Sequence, residues 1–203
     1  MRRAGVVFSV ALMAALMLLT PCGAGAQTIK VGFNIPLTGD IPKVGESSKY
    51  AAEIYLAEIN AAGGLKLGDK TYKLQFVYED NESKAESATA AALKLITQDQ
   101  VLAMIGPQAS KQAIPAGEVA NAGKTPMISP WSTNPKTTEG RPFVFRACFL
   151  DPFQGPVAAN FVTEEFKAKK AAVLYDISSD YPKGLAEYFK EAFEKLHGPG
   201  SVV

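Results

Sequence analysis

The sequence predicts an α/β protein whose parallel β-sheet is covered by helices on both faces. From residue 28 onward, short apolar runs alternate with amphipathic segments of helical length, separated by turns that contain Gly or Pro. Three of the runs, at residues 101–105, 125–129 and 171–175, lack the polar alternation of a half-exposed strand. Such runs are typical of strands buried on both faces of a parallel sheet. In these sheets, ligands bind beyond the carboxyl ends of the strands.

The predicted strands are short and are bounded by turn-forming residues. The second strand alternates Leu74, Phe76 and Tyr78 with polar neighbours, as expected when one face of a strand meets solvent. The predicted strands are residues 29–36, 73–80, 101–105, 125–129 and 171–175.

The predicted helices lie between these strands and carry apolar residues at helical spacing. The first helix is expected to bury a stripe through Ala51, either Ile54 or Tyr55, and Ile59, and to end at Gly63-Gly64. The predicted helices are residues 46–62, 82–98, 110–121, 152–167 and 183–196.

The chain is predicted to contain one lobe and the beginning of another. Residues 27–147 form the first α/β lobe, and residues 148–203 contain crossing chain and the start of a second α/β lobe. The connection at residues 130–142 interrupts the alternation and is expected to be a functional loop, leading into a segment that crosses between lobes at residues 143–149. Residues 150–203 offer two strands and two helices, too little for an independent core, so we expect an incomplete second lobe.

The first 26 residues have the pattern of a secretory signal peptide. Arg2 and Arg3 give a positive start, residues 6–19 are an apolar run, and Ala24-Gly25-Ala26 supplies small residues for cleavage. The run is shorter than the roughly 20 apolar residues of a bilayer span, which argues against a membrane anchor. Cys22 leaves a lipid-anchored N-terminus as an alternative. We therefore expect a periplasmic or other extracytoplasmic protein.

The composition argues against several classes of function. Lys plus Arg number 21 and Asp plus Glu 20, giving a net charge of +1 without a dense basic cluster, so no nucleic-acid partner is expected. Two cysteines and one histidine are too few for a Cys/His zinc site, and neither a metal nor a cofactor is predicted. The sequence lacks phosphate-binding glycine loops, a nucleophile elbow and a His-Glu-x-x-His motif. We therefore predict a protein that is not an enzyme.

Small polar groups follow two neighbouring predicted strands. The loop Gly106-Pro107-Gln108-Ala109-Ser110 opens a helix whose free N–H groups favour a carboxylate, and the Ser110 hydroxyl is either a further donor or an ordinary helix cap. The loop Ser129-Pro130-Trp131-Ser132-Thr133 offers hydroxyls, free carbonyls for an ammonium, and an indole that is either an apolar wall or part of a surface turn. Because both loops are expected at one edge of the sheet, we predict that they bind one small molecule.

These residues resemble the branched-chain amino-acid-binding proteins of ABC importers, which are type I periplasmic binding proteins. The resemblance covers the whole predicted mature chain and rests on the order and spacing of short motifs. The motifs are Ile29-Lys30-Val31-Gly32, Pro36-Leu37-Thr38-Gly39, Ala57-Glu58-Ile59-Asn60-Ala61-Ala62-Gly63-Gly64, Tyr78-Glu79-Asp80, Ile105-Gly106, Pro126-Met127-Ile128-Ser129-Pro130, Phe145-Arg146, Gln154-Gly155, and Tyr175-Asp176 followed by Tyr181 and Gly184.

The resemblance implies two doubly wound parallel-sheet lobes that close on a ligand about a hinge, with a membrane permease of an ABC importer as partner. It implies that Ser110 and the backbone near Thr133 hold a carboxylate. The Trp131 carbonyl and the Thr133 hydroxyl would meet an ammonium, and Tyr181 would close over from the second lobe. Trp131 and Val44 depart from the family pattern, which often has a small residue and an aromatic at these positions.

The expected ligand is an amino acid or a related small carboxylate or amide. An extracellular ligand-binding module of a sensory receptor remains the alternative function, because receptors use the same two-lobed architecture. The predicted ligand-binding residues are Gln108, Ala109, Ser110, Trp131, Ser132, Thr133 and Tyr181.

Overall fold

The computed structural model of the protein describes residues 27–203, so the predicted signal peptide lies outside the described residues. Its centre is a six-stranded sheet in the order β2-β3-β1-β4-β5-β6. All neighbouring strands are parallel except β2, which pairs antiparallel with β3. The strands are β1 (Thr28–Ile35), β2 (Leu65–Leu67), β3 (Lys70–Asp80), β4 (Ala103–Ile105), β5 (Met127–Ser129) and β6 (Val144–Arg146). The prediction of an α/β fold with a mainly parallel sheet is confirmed.

Five α-helices accompany these strands in residues 27–203, with a short 3-10 helix at Pro135–Thr137. The first begins at Pro42, four positions before its predicted start, because proline fits the first turn of a helix, where its missing N–H has no partner to lose. The helices are α1 (Pro42–Ala61), α2 (Ala85–Thr97), α3 (Ser110–Ala122), α4 (Asp151–Phe166) and α5 (Asp180–His197).

Both faces of the sheet are covered. On one face, α2 and α3 pack through Ala88, Leu95 and Ala116 against Met104 and Met127. On the other face, α1 packs through Ala52 against a cluster around Phe33 and Ile35.

The buried side of α1 differs from the predicted stripe. Ala51 and Ile54 are exposed, and the helix contacts the sheet one position further along, at Ala52. The close approach at Gly45 sets this rotation, because a Cβ on Gly45 would lie 2.0 Å from the Pro36 carbonyl oxygen.

The strand order produces a switch point next to β1. The chain pairs β1 with β3 on one side and with β4 on the other. Helices therefore leave in opposite directions, and the carboxyl ends of β1 and β4 border a crevice of the kind that holds ligands in open α/β sheets. We call the sheet with α1, α2 and α3 the first unit.

The second unit consists of α4, α5 and the chain that packs on them. Ala159 of α4, Phe193 of α5 and Val202 form its buried cluster. The predicted strand at 171–175 is not a regular strand here. Its pairing is one parallel bridge, Ala171 with Val202, with hydrogen bonds from the Ala171 N–H to the Ser201 carbonyl at 2.9 Å and from the Val203 N–H to the Ala171 carbonyl at 3.0 Å.

The physical reason lies in the surroundings of that segment. Ala171 and Val173 pack towards α4 and α5, whereas Leu174 is fully exposed. An apolar run becomes a regular inner strand only when partners flank both of its edges and cover both of its faces, and among residues 27–203 this segment has one short partner.

Two strands, β2 and β6, were not among the predicted strands, and β6 lies within the segment at 143–149 that was expected to cross between lobes. The Gly68-Asp69 pair joins β2 to β3, and Gly68 has a φ of 59°. Such a pair between two apolar runs is a recognised hairpin signal, although β2 is only three residues long.

No helix among residues 27–203 combines the length and hydropathy needed to cross a bilayer.

Candidate functional site

A cleft of about 340 Å³ lies where the first unit meets the second. Its walls come from the loop before α1, the loops after β4 and β5, the segment after β6, and the beginnings of α4 and α5. The lining residues are Ile41, Gln108, Ala109, Ser110, Trp131, Thr133, Cys148, Phe149, Gln154, Ser179 and Tyr181.

The cleft brings together all of the predicted ligand-binding residues except Ser132. Gln108, Ala109 and Ser110 reach it from the end of β4, and Trp131 and Thr133 reach it from the end of β5. Tyr181 faces them from the first turn of α5. Ser132 is buried behind the wall and contacts the residues that line it.

The two loops converge because β4 and β5 are paired, parallel neighbours, so their carboxyl ends lie at one edge of the sheet. Ser129 then ties the loops together. Its hydroxyl donates to the Pro107 carbonyl at 2.6 Å and accepts from the Ser132 N–H at 3.2 Å. The relative positions of Ser110 and Thr133 are therefore fixed by the backbone of two adjacent strands.

The Ser110 hydroxyl is the end of a chain of hydroxyl groups. Ser132 Oγ donates to Ser110 Oγ at 2.9 Å, and Ser132 Oγ lies 2.5 Å from Thr137 Oγ1. Each hydroxyl has one proton, so if Ser132 gives its proton to Ser110, Thr137 must donate to Ser132. The Ser110 proton then remains for a further acceptor, and each donor in the chain polarises the next.

The helix α3 begins at Ser110, and the residue in the N-cap position is Ala109, which has no side chain to cap the helix. The hydroxyl of Ser110 is engaged with Ser132 instead of capping. The first N–H groups of an α-helix have no partner within the helix and carry a partial positive charge. This end of α3 borders the cleft and suits a carboxylate.

Thr133 lies in an acidic setting. Its carbonyl accepts from the Asp151 N–H at 3.0 Å, and its hydroxyl lies near the Asp151 carboxylate without reaching good hydrogen-bond geometry. Asp151 is fully buried. Burial raises the pKa of Asp151 above its ordinary value of 3.8, while the Thr133 hydroxyl and the positive charge of Arg146 work in the opposite direction.

Arg146 holds the loop that carries Thr133. Its guanidinium donates to the Ser132 carbonyl at 2.7 Å, the Asn134 carbonyl at 3.0 Å and the Thr138 hydroxyl at 2.7 Å. A fourth bond goes to the Pro135 carbonyl at 3.2 Å, so one side chain on the edge strand β6 holds three backbone carbonyls and one hydroxyl of that loop.

Trp131 stands at the mouth of the cleft and is 55% exposed. It also borders a neighbouring groove formed with Val44, Ser48 and Gln108. Between the two sequence interpretations of Trp131, a position in the wall of a cleft fits this placement better than an isolated surface turn. The second unit contributes Tyr181, whose hydroxyl accepts from Gln154 Nε2 at 3.0 Å.

A family model matches the described residues over nearly their whole length. The model is that of periplasmic binding proteins, and it covers residues 28–203. The chain belongs to the periplasmic binding protein family.

Curated relatives within the family are named for amino acids. The chain is 36% identical over 169 residues to an amino acid binding protein of Pseudomonas aeruginosa, covering 83% of this chain and 44% of the relative. It is 35% identical over 173 residues to the Leu/Ile/Val-binding protein homolog 3 of Brucella melitensis, covering 85% of this chain and 45% of the relative.

The fold agrees with solved structures of the family. The branched-chain amino acid transporter substrate-binding protein LivJ of Streptococcus pneumoniae, in complex with isoleucine, superposes with a TM-score of 0.76 at 35% identity. That match covers 83% of this chain and 47% of LivJ. The chain therefore spans less than half the length of the relatives it matches.

Several lining residues were not predicted from sequence. Gln154 and Ser179 reach the cleft from the second unit, and Cys148 and Phe149 from the segment after β6. Burial raises the pKa of the Cys148 thiol, which donates to the Ser132 carbonyl at 3.3 Å. Gln154 belongs to one of the family-like motifs, which was a usable signal.

Residues 27–203 contain no group of three or more His, Cys, Asp or Glu placed to hold a metal ion.

Proposed function

We propose that the chain is part of an extracytoplasmic solute-binding protein of an ABC importer, which captures an amino acid or a related small carboxylate between two lobes. The first unit and the second unit are the two sides of that binding cleft. The observation that carries the proposal is the placement of a free hydroxyl proton at Ser110, a helix N-terminus and the Thr133 hydroxyl on one cleft of about 340 Å³.

The carboxylate of the ligand would bind at the start of α3. The N–H groups at the very start of α3, before Gln112, and the Ser110 hydroxyl are donors there, and a carboxylate is an acceptor on both oxygens. Because the hydroxyl chain from Thr137 is already oriented, little reorganisation is needed when the anion arrives.

The ammonium of the ligand would bind on the Thr133 side. Thr133 Oγ1 is a buried oxygen without a hydrogen-bond partner among the described residues, and the Asp151 carboxylate lies behind it. Both features favour a cation. The Ser110 side of the cleft therefore favours a negatively charged group, and the Thr133 side favours a positively charged group. A zwitterion carries both.

The proposed function is binding without chemical conversion. Within residues 27–203, the residues that line the cleft include no histidine, and burial raises the pKa of the Cys148 thiol, which disfavours the nucleophilic thiolate. His197 lies at the end of α5 and contacts Thr163 at 2.8 Å. The names of the relatives support a transport role over the alternative of a sensory receptor.

The location and the partner follow from the same proposal. A cleaved signal peptide at residues 1–26 would deliver the protein across the membrane, and a permease would receive the ligand-bound form. The family membership supports an extracytoplasmic location.

Calorimetry on the whole protein tests the proposal, with ligands first selected by a thermal-shift screen of amino acids and small carboxylates. We expect Thr133→Ala to weaken binding of the selected amino acid by about 5- to 150-fold, because the ammonium loses an acceptor in a buried site. Thr89→Ala is the matched control, since the Thr89 hydroxyl bonds only to the Ala85 carbonyl within α2. If Thr133→Ala and Thr89→Ala bind equally well, Thr133 is not part of the site.

A further inference from the structure

Gln108 is an amide buried in the wall of the cleft. It is 2% exposed and lines both the cleft and the neighbouring groove beside Trp131. Its Nε2 donates to Ser48 Oγ at 2.9 Å. Its Oε1 is buried and has no hydrogen-bond partner among the described residues. One half of this amide is therefore held by the protein, and the other half is an unused acceptor.

The hydrogen-bond partners of Ser48 determine which end of the Gln108 side-chain amide is the NH₂ group and which is the carbonyl oxygen. The Ser48 hydroxyl donates its only proton to the Val44 carbonyl at 2.9 Å, in the preceding turn of α1. Ser48 Oγ can then only accept from a neighbour. The group of Gln108 that faces it must be the NH₂, because the opposite orientation would place two acceptors against each other. The carbonyl oxygen is thus the free end.

A buried carbonyl oxygen without a hydrogen-bond donor costs free energy. An aliphatic ligand packed against Gln108 would leave its carbonyl oxygen without a donor. A ligand that brings a hydroxyl or an amide N–H would satisfy it. Gln108, Ala109 and Ser110 all line the cleft, so the Gln108 side chain belongs to the same wall as the helix start that suits the carboxylate of the ligand.

We propose that Gln108 determines specificity, and that the cleft prefers amino acids whose side chains donate a hydrogen bond over aliphatic side chains of the same size. This inference rests on the proposed function, because it takes the ligand to be an amino acid held at Ser110 and Thr133.

Two pairs of probes of nearly equal shape test the inference on the whole protein. Threonine is compared with valine and asparagine with leucine, by calorimetry at fixed pH and salt. We expect the donor-bearing member of each pair to bind about tenfold more tightly, the contribution of one neutral hydrogen bond in a buried site. Gln108→Met, which keeps the length of the side chain and removes the amide, should reduce each preference to about twofold or less.

The outcomes separate the inference from the function. If valine and leucine bind as tightly as threonine and asparagine, the inference is wrong while amino-acid binding stands. If Gln108→Met keeps the tenfold preference, Gln108 is not its source. If neither these four probes nor any other amino acid or small carboxylate binds, the proposed function fails, and the inference with it. If only carboxylates without an amino group bind, the inference is wrong while the proposed function stands. The wild-type comparison needs no variant, so it decides even if Gln108→Met folds poorly.

Discussion

At the scale of single residues, two carboxyl groups experience opposite environments. Asp80 accepts hydrogen bonds from the Leu37 N–H at 2.9 Å, the Thr38 hydroxyl at 2.6 Å and the Glu82 N–H at 2.8 Å. Burial alone would raise the pKa of Asp80, but these bonds outweigh it and lower the pKa. At Asp151 the effect of burial prevails, and its pKa is raised.

We expect Asp151→Asn to make the protein more stable at neutral pH. The folded-state pKa of Asp151 is above its ordinary value of 3.8, so ionisation is penalised by folding. The free energy of unfolding should then fall as the pH rises from 3.8 through the raised pKa, and the penalty is fully present above it. Urea unfolding between about pH 4 and 8 measures this slope, and Asp151→Asn should flatten it.

Asp80→Asn is the matched comparison and should act in the opposite direction. A lowered pKa stabilises the folded protein above pH 3.8, and that contribution is lost as the pH falls through the folded-state pKa. The variant should therefore be less stable at neutral pH. If both variants shift stability in the same direction, the assigned environments are wrong.

Residues that line the cleft could be predicted from the sequence where the end of one strand was enough to place them. Ser110 and Thr133 each follow a strand of a parallel sheet, and the parallel pairing of β4 and β5 brings them together. Asp151 lies 18 positions after Thr133 at the start of another helix, and nothing local in the sequence links the two. The contact between the Ser132 and Thr137 hydroxyls could not be predicted from the sequence for the same reason.

At the scale of elements, the second unit depends on close contact between its two helices. A Cβ on Gly155 of α4 would lie 2.6 Å from Tyr188 Cβ and 2.7 Å from the Phe189 nitrogen of α5. The Phe189 nitrogen is a backbone atom, so it cannot move out of the way by a change of side-chain rotamer. In the family-like Gln154-Gly155 motif, the glycine is therefore required by helix packing, and the glutamine lines the cleft.

We expect Gly155→Ala to destabilise the protein by about 1–3 kcal/mol, because overpacking outweighs the better helix propensity of alanine. Gly117→Ala in α3 is the control, since a Cβ there meets its nearest atoms at 3.4 Å. That variant should be unchanged or slightly more stable. Urea unfolding followed by circular dichroism measures both. Equal effects of the two substitutions would contradict the close contact between α4 and α5.

Element type was predictable where neighbours in sequence determine it, and less so where tertiary contacts do. The periodicity of α5 and the glycines after α1 were readable locally. The segment at 171–175 was not, because a buried strand and an apolar extended segment share one composition, and only its flanking partners decide between them.

At the scale of the whole molecule, the two units meet through a small set of direct contacts. Asn134 Nδ2 donates to the Asp180 carbonyl at 3.0 Å, joining the loop after β5 to the start of α5. Gly184 of α5 packs closely against the same loop, because a Cβ there would lie 3.0 Å from Asn134 Nδ2. A ligand in the cleft would add to this junction from the open side.

Hydrogen exchange on the whole protein tests whether a ligand engages both units. A bound amino acid that contacts Tyr181 as well as Ser110 should slow exchange at residues 179–183 together with residues 108–111 and 131–134, because local opening on either side of the cleft would break ligand contacts. The Gly68-Asp69 turn lies on the far hairpin and should exchange at an unchanged rate. Protection confined to residues 108–111 and 131–134 would show that the first unit binds alone, and would remove Tyr181 from the site.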